Sequence, residues 1–105
     1  MILRRGRFKD VVDRQLELFA LDDASLIAEA EEADAAWTNA SADDSEELFG
    51  DYQLVVDAIG ERLYDLRETY AAALDEQRAD EYRTAFDRAS LKRFRRYAAF
   101  LEEHR

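Results

Sequence analysis

Residues 45–75 read SEELFGDYQLVVDAIGERLYDLRETYAAALD, and this stretch decides the fold. Leu48, Tyr52, Val55, Ile59, Leu63, Leu66, Tyr70 and Leu74 recur at spacings of 4, 3, 4, 4, 3, 4 and 4. That alternation is the repeat of one helix face, the 3.6-residue period of an amphipathic rod. It predicts a long helix over about 45–75, about 46 Å long at 1.5 Å per residue. A compact chain of this size has a radius of gyration of about 13 Å. The rod does not fit inside such a globule, so the molecule is expected to be elongated.

Reading outward toward the N-terminus, Thr38 to Asp43 is a run of small polar residues and alanine, the clearest loop in the chain. Asp44 with Glu47 has the spacing of a capping box at the start of the long helix. Leu26, Ile27, Ala30, Ala33 and Trp37 mark an earlier helix over about 24–38, with Asp23 as its expected N-cap. Phe8, Val11, Val12, Leu16 and Phe19 mark a first helix over about 7–20. The two stripes keep nearly one phase across Asp22, which leaves a kinked rod and a hairpin both open. Toward the C-terminus a break is expected near Asp75 to Asp80. A last helix over about 80–103 then carries Tyr82, Ala85, Phe86, Ala89, Phe94, Tyr97 and Leu101.

The expected fold is therefore all-α: an elongated up-down bundle of three to four helices in a single domain spanning 1–105, with residues 1–6 as a disordered arm. A long hairpin whose N-terminal helices pack on a partner chain is the alternative. Composition agrees. The 105 residues hold no proline, three glycines, 48% hydrophobic and 38% charged residues. Straight-chain residues dominate, and turn-formers are scarce.

Composition also excludes. With no cysteine, disulfides, thiolate metal sites and cysteine nucleophiles are absent. No apolar run approaches the roughly 18 residues of a membrane span. The start, Met1 to Arg7, has charges but no apolar core, so it does not read as a signal peptide. A cytoplasmic location is expected. The net charge of −10 is unevenly spread: residues 10–57 carry 15 acidic groups against Arg14 alone, while both ends are basic. Overall acidity makes nucleic acid an improbable partner, because a phosphate backbone needs neutralising cations.

Catalytic motifs are incomplete in this chain. Asp10/Asp13, Glu29/Glu32, Glu47/Asp51 and Glu61/Asp65 each share a helix face, the spacing at which carboxylates can hold a divalent metal or divide acid and base roles. Helical di-iron sites add a Glu-x-x-His pair, and the one histidine, His104, has Leu101 three residues before it. The helical nucleotide pyrophosphohydrolase pattern begins at Glu31-Glu32 and goes no further, since position 35 is alanine. No serine has a neighbouring base, and no glycine-rich phosphate loop exists. The carboxylate pairs read as solvated helix faces. No cofactor or metal ligand is assigned.

Two clusters carry an interaction reading. Arg88, Lys92, Arg93, Arg95 and Arg96 cover more than one face of the last helix, interleaved with Phe94 and Tyr97. They are expected to pair with the acidic second helix of the same or another subunit, or to lie solvated. The tyrosines are mostly expected in the core with their hydroxyls at the rim. A small polar pocket of tyrosine hydroxyls with Arg14, Gln15 or Gln53 is the alternative. Gly60 interrupts the inner stripe, which the close approach of a crossing helix would explain.

Trp37-Thr38-Asn39 lacks the glycine of the secreted Trp-x-Gly hairpin proteins, and that comparison fails. Gly6-Arg7-Phe8, Arg14 to Phe19 and Gly50-Asp51-Tyr52-Gln53 together resemble short uncharacterised helical proteins of high-GC actinobacteria, over most of the chain. The resemblance implies no activity. The sequence thus points to a non-catalytic protein–protein interaction or scaffold module, coiled-coil-like and self-associating as a homodimer or bound to another protein. Its expected contact residues are Tyr52, Ile59, Leu63 and Tyr70 on the long helix and Arg93 and Arg96 on the last. A metal-dependent hydrolase using helix-borne carboxylates is the alternative.

Overall fold

A computed structural model describes residues 6–104. The expected N-terminal arm lies outside the described residues except for Gly6, which is exposed. Five helices follow: α1 (Lys9–Asp22), α2 (Ala24–Thr38), α3 (Ser45–Ala71), α4 (Glu76–Arg93) and α5 (Arg95–Glu103). The described chain is all-helical and elongated, with extents of 57 × 27 × 23 Å and a radius of gyration of 16.1 Å.

Asp23 joins α1 to α2. Its N–H bonds to the Phe19 carbonyl at 2.9 Å, and its own carbonyl accepts from the Ile27 N–H at 3.1 Å. The helical hydrogen-bond pattern is thus picked up again across the joint, and the two helices form a kinked rod. The side chain of Asp23 makes no cap bond. It accepts instead from Arg62 of α3 at 3.0 Å, pinning the kink to the long helix. Asp44 also caps nothing with its side chain; it takes a hydrogen bond from the Ser41 hydroxyl at 3.3 Å.

The long helix ends at Ala71, one turn before the expected Asp75. Asp75 starts α4, accepting from the Arg78 N–H at 2.9 Å. This orphan-donor satisfaction is what an N-cap supplies, and it holds the Asp75 carboxyl below its ordinary pKa.

The expected single last helix is two helices. The chain breaks at Phe94, with φ −131° and ψ 49°. The inward stripe reads 79, 82, 86, 90, 94, 97, 101 in unbroken helical spacing, apolar except for Ser90, and no glycine or proline marks the place. Packing makes the break. The Phe94 ring meets Phe19 edge-on at 5.2 Å, and beyond it α5 crosses α3 at Gly60. A Cβ added at Gly60 would overlap the Phe100 Cβ and lie 2.7 Å from its Cγ. Only glycine lets α3 take the base of the Phe100 side chain this closely.

Four helices meet in the inner half of the molecule. Val12, Leu16 and Phe19 of α1, Leu63 of α3, Tyr82 and Phe86 of α4 and Leu101 of α5 are all buried. Phe8, Tyr70 and Tyr82 form an aromatic cluster, with Tyr82 5.6 Å from Phe8 and 4.6 Å from Tyr70. The Tyr82 hydroxyl donates to Gln15 at 2.7 Å, and burial raises its pKa. A hydroxyl–Gln15 pair therefore exists, as a core hydrogen bond.

One buried charge joins α3 to α4. Arg67 is 1% exposed. It donates to Asp87 at 2.7 Å and to Glu68 at 2.9 Å, and it lies 5.3 Å from the Tyr64 ring centroid. Arg83 completes the network with two bonds to Glu68, at 3.0 and 2.9 Å. That paired hydrogen bonding from Arg83, with the nearby Arg67, holds the Glu68 carboxyl below its ordinary 4.5.

Three outcomes test this packing. In thermal or urea unfolding, Gly60→Ala should destabilise by about 1–3 kcal/mol, the cost of overpacking. Gly50→Ala, where nothing lies within 4 Å of the new Cβ, should stabilise by about 1 kcal/mol. Equal effects at the two sites would contradict the crossing. Arg67→Ala should cost about 3–5 kcal/mol, because it empties a buried site and removes the guanidinium that joins Asp87 to Glu68. Glu68 is depressed in the folded state, so its stabilisation is present above pH 4.5 and is lost as pH falls through the folded value. Melting temperature should drop over that acid range, and Glu68→Gln should flatten the drop.

Candidate interaction surface

The far half of the α2–α3 hairpin is built differently from the body. From Glu31 to Ala58 no residue is buried, across 28 consecutive positions. Ala30 is the last buried residue of α2 and Ile59 the first of α3. Alpha-helix α5, which could have continued over this half, turns across α3 at Gly60 instead. The pair α2 and the first half of α3 are left to pack on each other.

Aromatic rings close the hairpin. Trp37 stacks on Tyr52 at 5.8 Å and 14°, and its centroid is 4.9 Å from that of Phe49. Phe49 remains 42% exposed and Leu54 71% exposed. On α3, Glu46, Phe49, Gln53 and Asp57 share one stripe, at spacings of 3, 4 and 4. Gln53 donates to Asp57 along it at 3.0 Å. Phe49 is thus an apolar projection flanked by carboxylates.

The charge of this half is of one sign. Residues 31–58 contain nine acidic residues and no basic one. Among the described residues, only Asp34 of the nine forms an ion pair, with Arg96 of α5 at 3.5 Å. In the body the carboxylates Asp13, Glu68, Asp75, Asp80, Glu81 and Asp87 all face cations. The hairpin carboxylates therefore contribute little to folding, and their mutual repulsion opposes it.

The residues singled out from sequence fall into three groups. Tyr52 lies in the hairpin cluster, beside Trp37 and Phe49. Ile59 and Leu63 have no exposed surface and cannot contact a partner; they belong to the core, because the stripe that marks them is the one that turns inward. Tyr70 is half-buried against Phe8 and Tyr82. On the basic side, Arg93 is exposed over the Phe94 ring, and Arg96 reaches Asp34. Phe49 and Leu54 were missed. Their signal was available, as apolar residues off the inner stripe within a long run without cations.

The catalytic alternatives gain nothing from the geometry. Among the described residues no three acidic or histidine side chains converge on a metal position, so Glu29 and Glu32 find no third ligand on the long helix. His104 stacks on Phe100 at 3.9 Å with its Nδ1 2.8 Å from the Phe100 carbonyl oxygen. No described helix is long and apolar enough to cross a membrane. Comparison of the chain with protein families, curated proteins and solved structures finds no match in any of the three.

A half with no buried residue opens by local fluctuation at low cost. Amide hydrogen exchange should therefore be faster over 31–58 than at Leu63, Tyr82 or Phe86 by at least about a hundredfold. Uniform protection along α3 would show that the far half is covered in solution.

Proposed function

We propose that the chain is a non-catalytic protein–protein interaction or scaffold module whose contact surface is the far half of the α2–α3 hairpin. The observation that carries this reading is the coincidence, over residues 31–58, of no buried residue, exposed Phe49 and Leu54, and nine carboxylates of which, among the described residues, Asp34 alone forms an ion pair. Aromatic residues on a surface of this kind are what interfaces concentrate. The contact is a protein surface that is basic around an apolar centre, either another copy in a homo-oligomer or a different chain. A nucleic acid is disfavoured, because the carboxylates repel a phosphate backbone. The setting is the cytoplasm, in keeping with a cysteine-free chain.

Trp37 is the chain's one tryptophan, and it reports directly from this surface. Titration with a basic amphipathic helical peptide should shift its emission saturably, and added salt should weaken the effect. Phe49→Ser should weaken binding by about thirtyfold, on the order of 2 kcal/mol for a central aromatic contact. Helix content should stay near that of the wild type, since Phe49 lies outside the buried core, while loss of its contact with Trp37 shifts the emission of the free protein, so binding is read as the change on titration. An unresponsive Trp37 together with unchanged association in Phe49→Ser would remove the hairpin as the contact surface.

A further inference from the structure

Resting on that reading, we propose that the occupant of the acidic hairpin is a second copy of this chain, which receives it in the groove between α1 and α4. The groove is continuous. Two adjoining cavities of about 250 and 340 Å³ share Lys9, Asp13, Ala89 and Lys92. Its floor is apolar, made by Val12, Leu16, Ala85 and Ala89. Its walls are basic, made by Lys9, Arg88, Lys92 and Arg93, with Asp13 the one acidic lining residue. Lys9 pairs with Asp13. Arg88 and Lys92 have no ion-pair partner among the described residues.

Groove and hairpin are complementary in both properties. The hairpin is a projection with Phe49 at its centre and Glu46 and Asp57 on its stripe. The groove is a hollow with small side chains at its floor and cations along its walls. Within one chain the two are kept apart: Arg96–Asp34 is the described ion pair between the basic cluster of α4 and α5 and the α2 helix. A contact between copies neutralises the remaining cations and the remaining carboxylates together. The contact joins two different patches; when each hairpin enters the other's groove the two copies are related by a two-fold axis and the interface is isologous, hairpin meeting groove twice.

The test is sedimentation equilibrium of the full chain over a wide concentration range, at low and at physiological salt. The wild type should self-associate, more strongly at low salt. Glu46→Lys with Asp57→Lys, and separately Arg88→Glu with Lys92→Glu, should each weaken association by at least about tenfold, since each places like charges across the contact. All four positions are exposed, and circular dichroism should show both variants folded. An equimolar mixture of the two variants should associate again, because the basic hairpin of one now faces the acidic groove of the other. A wild type that stays monomeric throughout, a variant that associates as the wild type does, or a mixture that fails to recover each overturns the proposal. If the wild type is monomeric while Trp37 still responds to a basic helical peptide, the self-docking is wrong and the hairpin remains a contact surface. If neither occurs, both readings fall.

Discussion

The crossing of α5 over α3 at Gly60 is the constraint on which the molecule depends. Because the position lacks a side chain, the Phe100 side chain settles against the middle of the long helix. That contact fixes the turn at Phe94 and draws the last helix into the inner half. There α1, α3, α4 and α5 exclude water from Leu16, Leu63, Phe86 and Leu101. Burial of apolar surface is the main favourable term in folding, and no residue of 31–58 is fully buried. The opposite end of α3 is covered mainly by α2, with α5 reaching that half through the Arg96–Asp34 pair. A two-helix hairpin has only one interface in which to hide apolar side chains, so Phe49 and Leu54 stay in solvent.

Electrostatics divides the molecule along the same line. In the body, Asp13, Asp23, Glu68, Asp75, Asp80, Glu81 and Asp87 form ion pairs. Arg67, buried between α3 and α4, has Asp87 and Glu68 as acceptors, and Arg83 braces Glu68 from outside. Taking a guanidinium out of water is tolerated only with such partners. In the hairpin, eight of nine carboxylates lack an ion-pair partner among the described residues, and the basic groove between α1 and α4 has cations in the same condition. A chain that carries −10 overall has thus separated an acidic projection from a basic hollow. Association between copies answers both excesses at once, and it covers the apolar centre of each.

Much of the helical content was legible in the sequence. The stripe from Leu48 to Tyr70 located α3, and the polar run Thr38–Asp43 located the turn before it. The shared phase of the first two stripes carried the kinked rod as one of two alternatives, and the bonds through Asp23 select it. The breaks that packing imposes were not legible. The stripe through Phe94 is unbroken, so periodicity could not divide α4 from α5, and five helices stand where three or four were expected. The same limit applies to the contact surface. Ile59 and Leu63 were chosen because they belong to the strongest stripe, yet a strong stripe is what the core consumes. Phe49 lies off the stripe, and its exposure depends on where α5 stops. Arg67 was also hidden, because a buried arginine in a charged chain looks like any solvated one until Asp87 is brought beside it.

The absence of cysteine makes the central claim directly measurable. A nitroxide attached at Gly50→Cys, beside Phe49 and with open space around it, would sit at the hairpin surface. Mixed with isotopically labelled, unmodified chain, it would broaden amide signals of the other copy. The account predicts broadening centred on Lys9–Asp13 and on Ala85–Lys92, the two walls of the groove. No intermolecular broadening, or broadening centred on another face, would contradict it.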